Sequence, residues 1–66
     1  MLRITVERER KGWSRTKLGY EAKIHPAAIG QIEAGKLLPC LAYQARLERV
    51  LGIPCKELLK DCEGER

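Results

Sequence analysis

The sequence predicts an all-α domain of five short helices, and three observations support this fold class. Apolar residues recur at helical spacing, Gly and Pro separate the segments, and no two segments read as strands joined by a turn. With 66 residues, the chain is expected to form one domain, 1–66. A domain of this size buries only about 60% of its unfolded surface, so the core must be small.

Capping residues define the first two predicted helices. The first helix is predicted over 3–11 and ends at Gly12. Ser14 is a favourable N-cap for a second helix over 15–22. Gly19 lies inside that helix, where it costs about 1 kcal/mol relative to Ala. This cost indicates that another backbone segment approaches the helix closely at Gly19.

Proline and glycine set the bounds of the other helices. Pro26 suits the first helical position and Gly35 a helix end, while Gly52 and Pro54 separate the last two helices. The predicted ranges are 26–34 for the third helix, about 41–51 for the fourth and about 55–61 for the fifth, with a frayed tail over 62–66. Each helix is too short to be stable alone, so packing must hold them.

The net charge of +4 lies entirely in the first half of the chain. Residues 1–36 contain eight cations and four anions, whereas residues 37–66 contain five of each. This asymmetry favours a polyanion-binding half joined to a neutral packing or association half. A basic surface that is merely solvated fits the charge distribution equally well, so charge alone does not decide between them.

Several function classes find little support in the composition. The three cysteines are widely spaced and His25 is the single histidine, so no zinc-ligand pattern is present and we expect no metal and no cofactor. One Ser, one Asp and one His at scattered positions provide no catalytic set, so we expect no enzyme. No apolar run is long enough to span a membrane, and no signal peptide is recognisable. We therefore expect a cytoplasmic protein with no membrane or small-molecule ligand.

Helices 15–22 and 26–34, joined by a three-residue turn, have the helix-turn-helix pattern. Helix N-termini carry unpaired N–H groups and a partial positive charge, so they bind phosphates. The second helix, capped by Ser14 and led by Arg15, can therefore lie on a DNA backbone. The third helix can enter the major groove, which is wide enough for a helix.

Two blocks of the chain carry a resemblance to a known family. The first is Ile29 followed by Ile32-Glu33-Ala34-Gly35-Lys36, and the second is Leu51-Gly52-Ile53-Pro54. Across about residues 3–60, the chain resembles the phage-repressor-like (XRE, Cro-type) helix-turn-helix family, whose domains have the lambda-repressor-like fold. The resemblance implies a DNA-binding transcriptional regulator, in most such cases a repressor.

The resemblance also implies roles for individual residues. Gly19 lets the two motif helices cross closely, Glu33 pairs with Arg8, and three isoleucines, Ile24, Ile29 and Ile32, lie in the core. Arg15 contacts phosphate or an outer base, and Lys36 meets the DNA backbone. With the N-cap residue, the expected DNA-binding residues are Ser14, Arg15, His25, Pro26, Ala27, Gly30, Gln31 and Lys36.

The chain departs from the family pattern at two places. Lys23 stands in the turn where the family has Gly, so a left-handed conformation there carries about 1 kcal/mol of strain. The expected groove-facing surface also has few hydrogen-bonding groups. Arg15 can read guanine, Gln31 can read adenine, and Pro26 or Ala27 can touch a thymine methyl. We therefore expect few base contacts, with much of the affinity coming from phosphates and DNA shape.

The sequence alone allows two interpretations for some side chains. We interpret Trp13 as a core anchor. Tyr20 fits either packing within the protein or contact with the DNA backbone. His25 fits either a turn position near a DNA phosphate or a turn position without a functional contact. The fourth helix has the apolar set Leu41, Ala45, Leu47, Val50 and Leu51. Leu37, Leu38 and Tyr43 form an apolar group that fits either core or a dimer surface. Cys40 and Cys55 lie near helix starts, where the pKa of a thiol can fall.

Double-stranded DNA is the expected partner, bound by a homodimer that uses the surface of the fourth and fifth helices for its contact. The expected operator has half-sites about 34 Å apart. The rival hypothesis is a protein-interaction module on the same fold, such as an antitoxin-like subunit. RNA binding is less favoured, because aromatic residues that could stack on bases are scarce.

Overall fold

Five α-helices account for most of residues 1–62, which are the residues that the computed structural model describes. They are α1 Arg3–Arg10, α2 Arg15–Ala22, α3 Pro26–Glu33, α4 Leu41–Leu51 and α5 Cys55–Leu58. In this part of the chain, extended pairing is limited to one isolated antiparallel bridge between Leu2 and Asp61. The all-α prediction is confirmed. None of these helices is long and apolar enough to cross a lipid bilayer.

The helix bounds follow the predicted caps and stops closely. Ser14 caps α2, because its Oγ accepts a hydrogen bond from the Lys17 N–H at 3.0 Å. Pro26 occupies the start of α3. Gly12 and Gly52, which follow α1 and α4, have φ angles of 74° and 73° that only glycine adopts readily. Glycine, proline and serine therefore fix most of the boundaries.

Three helices end earlier than predicted. α1 stops at Arg10, and Lys11 is its C-cap. α3 stops at Glu33, and Ala34 is its C-cap. α5 ends at Leu58 because the following residues pair with the N-terminal segment: the Arg3 N–H donates to the Lys60 carbonyl at 2.8 Å, and the Cys62 N–H donates to the Met1 carbonyl at 2.7 Å. Cys62, predicted to begin the frayed tail, is hydrogen-bonded. The rest of that tail, 63–66, lies outside the described residues.

The core lies where all five helices meet. Its fully buried aliphatic side chains are Ile4, Leu18, Ile29, Ile32, Leu47 and Leu58. Ala22, Ile24 and Leu51 complete the cluster. The predicted core roles of the three isoleucines around the turn and α3 are confirmed. Tyr43 and Trp13 are half-buried and pack against the cluster, which agrees with Trp13 as a core anchor.

The apolar residues of α4 divide between core and solvent. Leu47 and Leu51 are buried and Val50 is half-buried, whereas Ala45 and Leu41 are exposed. The predicted apolar set is therefore correct only for the second half of the helix. Leu41 begins the helix and lies beyond the reach of the core, and its side chain is 80% exposed.

Candidate nucleic-acid interface

α2 and α3 pack against each other and are joined by only three residues, 23–25. Lys23 ends α2 in the left-handed conformation, with φ 58° and ψ 45°. The predicted left-handed turn is thus present with lysine in place of glycine. The Ile24 side chain is buried, and its N–H donates to the Gly19 carbonyl at 2.9 Å. The sharp turn and this anchoring fix the direction in which α3 leaves α2.

Gly19 is the point of closest approach between α2 and the start of α3. A Cβ on Gly19 would overlap the Ile24 carbonyl oxygen and lie 3.3 Å from the Pro26 nitrogen. Any larger residue would therefore push the turn away from α2. The close approach inferred from the cost of glycine inside a helix is confirmed.

His25 caps α3, a role that the sequence analysis missed. Its Nδ1 accepts a hydrogen bond from the Ala27 N–H at 3.0 Å, and this bond requires an unprotonated Nδ1. Histidine is not among the preferred N-cap residues, so propensity gave no signal. The cap leaves the imidazole exposed at the N-terminus of α3.

The remaining predicted interface residues lie on accessible parts of α2, α3 and the segment after it. Ser14, Arg15, Ala27, Gln31 and Lys36 are exposed. Pro26 and Gly30 are half-buried. The Lys36 N–H donates to the Gln31 carbonyl at 2.9 Å, which ties the start of the next loop to the end of α3. The two helices and this loop thus present all eight predicted residues at least partly to solvent.

A buried ion pair connects α1 with α3. The Arg8 Nε donates to Glu33 Oε2 at 2.7 Å, and the Arg8 Nη1 donates to the Trp13 carbonyl at 2.7 Å. The Arg8 and Glu33 side chains are 10% and 3% exposed. The pairing implied by the resemblance is therefore present, and it holds the loop before α2 as well as the end of α3.

Glu33 has a second partner that the sequence did not indicate. The Arg15 Nε donates to Glu33 Oε1 at 3.1 Å, although the Arg15 side chain remains 59% exposed. Arg15 and Glu33 lie on different helices, and nothing in the local pattern around either residue predicts that they meet. The expected DNA-contacting arginine is thus held against α3.

The aromatic side chains near α2 are associated with lysines. The Lys17 ammonium lies 5.9 Å from the Trp13 ring centre and 5.8 Å from the Tyr20 ring centre. The Lys11 ammonium lies 5.3 Å from the Trp13 ring centre. Tyr20 itself is 77% exposed, so the packing interpretation of this residue is wrong. Lys17 also pairs with Glu21 at 3.0 Å, and this pair lies on the outer surface of α2.

Cys55, one of the two cysteines near a helix start, is buried. Burial raises the pKa of the Cys55 thiol, and the negative charge of Glu48 raises it further. The Cys55 N–H donates to Glu48 Oε2 at 2.8 Å, so the carboxylate that caps α5 also opposes thiolate formation. The lowering of a thiol pKa that a helix start can produce therefore does not occur at Cys55, where the pKa is raised. Cys40 is exposed.

In residues 1–62, no three His, Cys, Asp or Glu side chains are grouped closely enough to hold a metal ion. No family model, curated protein or solved structure matches the chain.

Proposed function

We propose that this protein binds double-stranded DNA in a sequence-directed manner as a transcriptional regulator, most simply a repressor in the cytoplasm. α2 and α3 act as a helix-turn-helix within a lambda-repressor-like fold. α2 lies on the DNA backbone, and α3 enters the major groove. This proposed activity needs no cofactor.

The observation that carries the proposal is the close crossing of α2 and α3 at Gly19 and the turn after it. A three-residue connection, a left-handed Lys23 and a crossing too tight for a Cβ together hold α3 rigidly. A fixed helix with an accessible face is what major-groove binding requires, because the groove admits a helix only in a defined orientation. Two exposed cationic side chains, Arg15 at the start of α2 and Lys36 three residues after the end of α3, can contact phosphates.

The accessible face of α3 is small and mostly apolar. Ala27 and Gln31 are its exposed residues, and Gly30 lies between them. Gln31 can make a bidentate contact with adenine, and Ala27 can touch a thymine methyl. The lack of bulky side chains lets the helix backbone approach the base edges, so we propose that groove shape and phosphate contacts supply much of the affinity.

The DNA-bound form in this proposal is a homodimer with half-sites about 34 Å apart. The exposed apolar residues that could join two copies are Leu38 and Leu41, which are 82% and 80% exposed. They lie in the loop before α4 and at its start, whereas Leu58 of α5 is fully buried. The proposed dimer contact therefore includes the start of α4 but not the buried leucine of α5.

The same two leucines favour a second candidate function, a protein-interaction module such as an antitoxin-like subunit. A contiguous exposed apolar patch can mark a partner surface, and Leu38 and Leu41 are separated by only two residues in the chain. Leu38→Glu combined with Leu41→Glu separates the two candidates. If the leucines serve DNA binding through dimerisation, the double variant is monomeric and binds DNA far more weakly. A variant that keeps full DNA affinity would show that the leucines do not support DNA binding, as the second candidate function expects.

Enrichment of random duplex DNA by the purified protein tests the proposal. We expect a recurrent motif, and we expect Gln31→Ala to relax its specificity at one base position. Lys36→Ala should weaken binding to all duplexes alike and reduce the slope of log affinity against log salt by about 1. Salt-sensitive binding without any enriched motif would contradict sequence-directed recognition. Absence of binding at low salt would contradict DNA binding altogether.

A further inference from the structure

The Glu33 carboxylate is shared by two arginines from different elements. Its Oε2 accepts from Arg8 Nε at 2.7 Å, and its Oε1 accepts from Arg8 Nη2 at 3.3 Å and from Arg15 Nε at 3.1 Å. The Glu33 side chain is 3% exposed, so its carboxylate is shielded from solvent. Glu9 Oε2 also lies 3.8 Å from Arg8 Nη2, so two arginines and two glutamates balance each other in this cluster. Arg15 can still donate hydrogen bonds to an electron-rich ligand, because its bond to Glu33 uses Nε and 59% of its side chain is exposed.

Gly30 gives the Arg15 side chain room to cross α3. A Cβ on Gly30 would lie 3.8 Å from the Arg15 Cδ, so the aliphatic stem passes directly over this position. Arg15 is the first residue of α2, and its side chain reaches Glu33, the last residue of α3. The guanidinium is thus placed beside the α3 face proposed to enter the groove, with 59% of the side chain still exposed.

The hydrogen bond to Glu33 determines which edge of the Arg15 guanidinium faces outward. A guanidinium is planar and has five N–H donors in a fixed arrangement. Because Nε is bonded to Glu33, the edge formed by Nη1 and Nη2 points away from the carboxylate. This pair of donors matches the O6 and N7 acceptors of guanine in the major groove. A phosphate contact needs no such orientation, since phosphate oxygens accept from many directions.

We propose that Arg15 reads one guanine in each half-site through its Nη1 and Nη2 groups, and that Glu33 is the positioning residue that orients it. This inference rests on the proposed function and specifies one base of the operator. Arg8 holds Glu33 from the opposite side, so the orientation of Arg15 depends on the α1–α3 ion pair. An alanine would fit at Gly30 beside the stem of Arg15, whereas a branched side chain there would displace it.

The test replaces each guanine of an enriched duplex, one at a time, by 7-deazaguanine, which pairs with cytosine but lacks the N7 acceptor. The readout is the ratio of Kd values for the modified and unmodified duplexes. We expect one guanine per half-site where the ratio is about tenfold for the wild-type protein, because without N7 the bidentate contact keeps only its O6 acceptor. Arg15→Ala should bring the ratio close to 1. Lys36→Ala, the control, should weaken binding to both duplexes and leave the ratio unchanged.

Two further variants test the positioning role of Glu33. Glu33→Gln should lower the ratio while Arg15 is still present, and far-ultraviolet circular dichroism shows whether this variant remains folded. Gly30→Val leaves Arg8 and Glu33 in place, and its branched side chain should displace the Arg15 stem and lower the same ratio. In the Arg15→Ala background, Gly30→Val should not change the ratio further. If both single variants keep the tenfold ratio, Glu33 does not orient Arg15.

Two results would overturn the guanine assignment and leave the proposed function intact. One is an enriched motif in which no guanine is sensitive to loss of N7. The other is a sensitive guanine whose ratio is unchanged in Arg15→Ala. If the wild-type protein binds no duplex, the proposed function fails together with this inference.

Discussion

Two glycines in the candidate interface have opposite structural requirements. At Gly19, a side chain would collide with the backbone of the turn, and the Ile24 carbonyl there cannot move without shifting α3. At Gly30, the nearest atom to an added Cβ is a methylene of Arg15, at an ordinary contact distance of 3.8 Å. The same residue type is therefore a packing requirement at one position and free to change to alanine at the other.

Replacing each glycine by alanine tests this difference. Gly19→Ala should lower the free energy of unfolding by about 1–3 kcal/mol, because overpacking outweighs the gain in helix propensity. Gly30→Ala has the same gain in propensity without a collision, so it should raise stability by up to about 1 kcal/mol. Urea titration followed by circular dichroism measures both values. Equal stabilities for the two variants would contradict the close crossing.

The thiol of Cys55 should be far less reactive than that of Cys40. The thiolate is the reactive form, and burial together with Glu48 raises the pKa of Cys55, whereas Cys40 is exposed. In a Cys62→Ser background at pH 8, a thiol reagent should label Cys40 rapidly and Cys55 only after unfolding by urea. Cys40→Ser is the control that isolates the slow thiol. Rapid labelling of Cys55 in the folded Cys40→Ser protein would contradict this account.

At the scale of elements, the turn between α2 and α3 contains a residue whose backbone conformation is unfavourable for its type. Lys23 adopts a left-handed conformation that costs an L-residue about 1–2 kcal/mol and costs glycine little. Its carbonyl accepts a hydrogen bond from Arg46 Nη1 of α4 at 3.3 Å. The turn is thus kept in place by contacts that do not depend on the lysine side chain.

Lys23→Gly should therefore raise the free energy of unfolding by about 1 kcal/mol. The reciprocal change, Gly52→Ala, places a side chain on a left-handed residue with φ 73° at the end of α4 and should lower it by about the same amount. Thermal unfolding monitored by circular dichroism measures both. A destabilised Lys23→Gly protein would show that the lysine side chain supports the turn.

Most helix bounds could be predicted from the sequence because local residues determine them. Ser14, Pro26 and Gly52 act through their own backbone or capping chemistry, which the sequence displays directly. The early end of α5 could not be predicted, since it results from pairing with Met1 and Arg3 at the opposite end of the chain.

Within the candidate site, sequence reasoning named the residues but not all their contacts. The family resemblance supplied the Arg8–Glu33 pair, which the structure contains. The contact between Arg15 and Glu33 depends on the crossing of two helices, and His25 caps α3 although histidine is an uncommon cap. The Arg15 contact depends on three-dimensional placement, for which a single sequence carries no signal. The His25 cap is a local bond, but N-cap preferences do not point to histidine.

At the scale of the whole molecule, one buried ion pair connects the first helix to the candidate interface. Removing one partner of such a pair leaves an uncompensated buried charge, which typically costs about 3–5 kcal/mol. This is a large fraction of the stability of a small domain. The Arg8–Glu33 pair therefore couples the integrity of the fold to the position of α3.

Glu33→Ala should accordingly destabilise the protein by about 3–5 kcal/mol. Glu21→Ala, which removes an exposed carboxylate paired with Lys17 on α2, should cost about 0.3–0.5 kcal/mol. Chemical denaturation of both variants in parallel provides the comparison. Similar losses in the two variants would mean that the buried pair contributes no more than a surface pair.

The most direct test of sequence-directed DNA binding is a fluorescence anisotropy titration of the enriched duplex and of a shuffled duplex with the same base composition. The titrations are made with the wild-type protein at several salt concentrations. The account predicts that the enriched duplex binds at least about a thousandfold more tightly near physiological salt, the lower end of the range for specific DNA-binding proteins. Both affinities should fall as salt rises, because phosphate contacts release counterions. Equal affinities for the two duplexes would contradict the central claim.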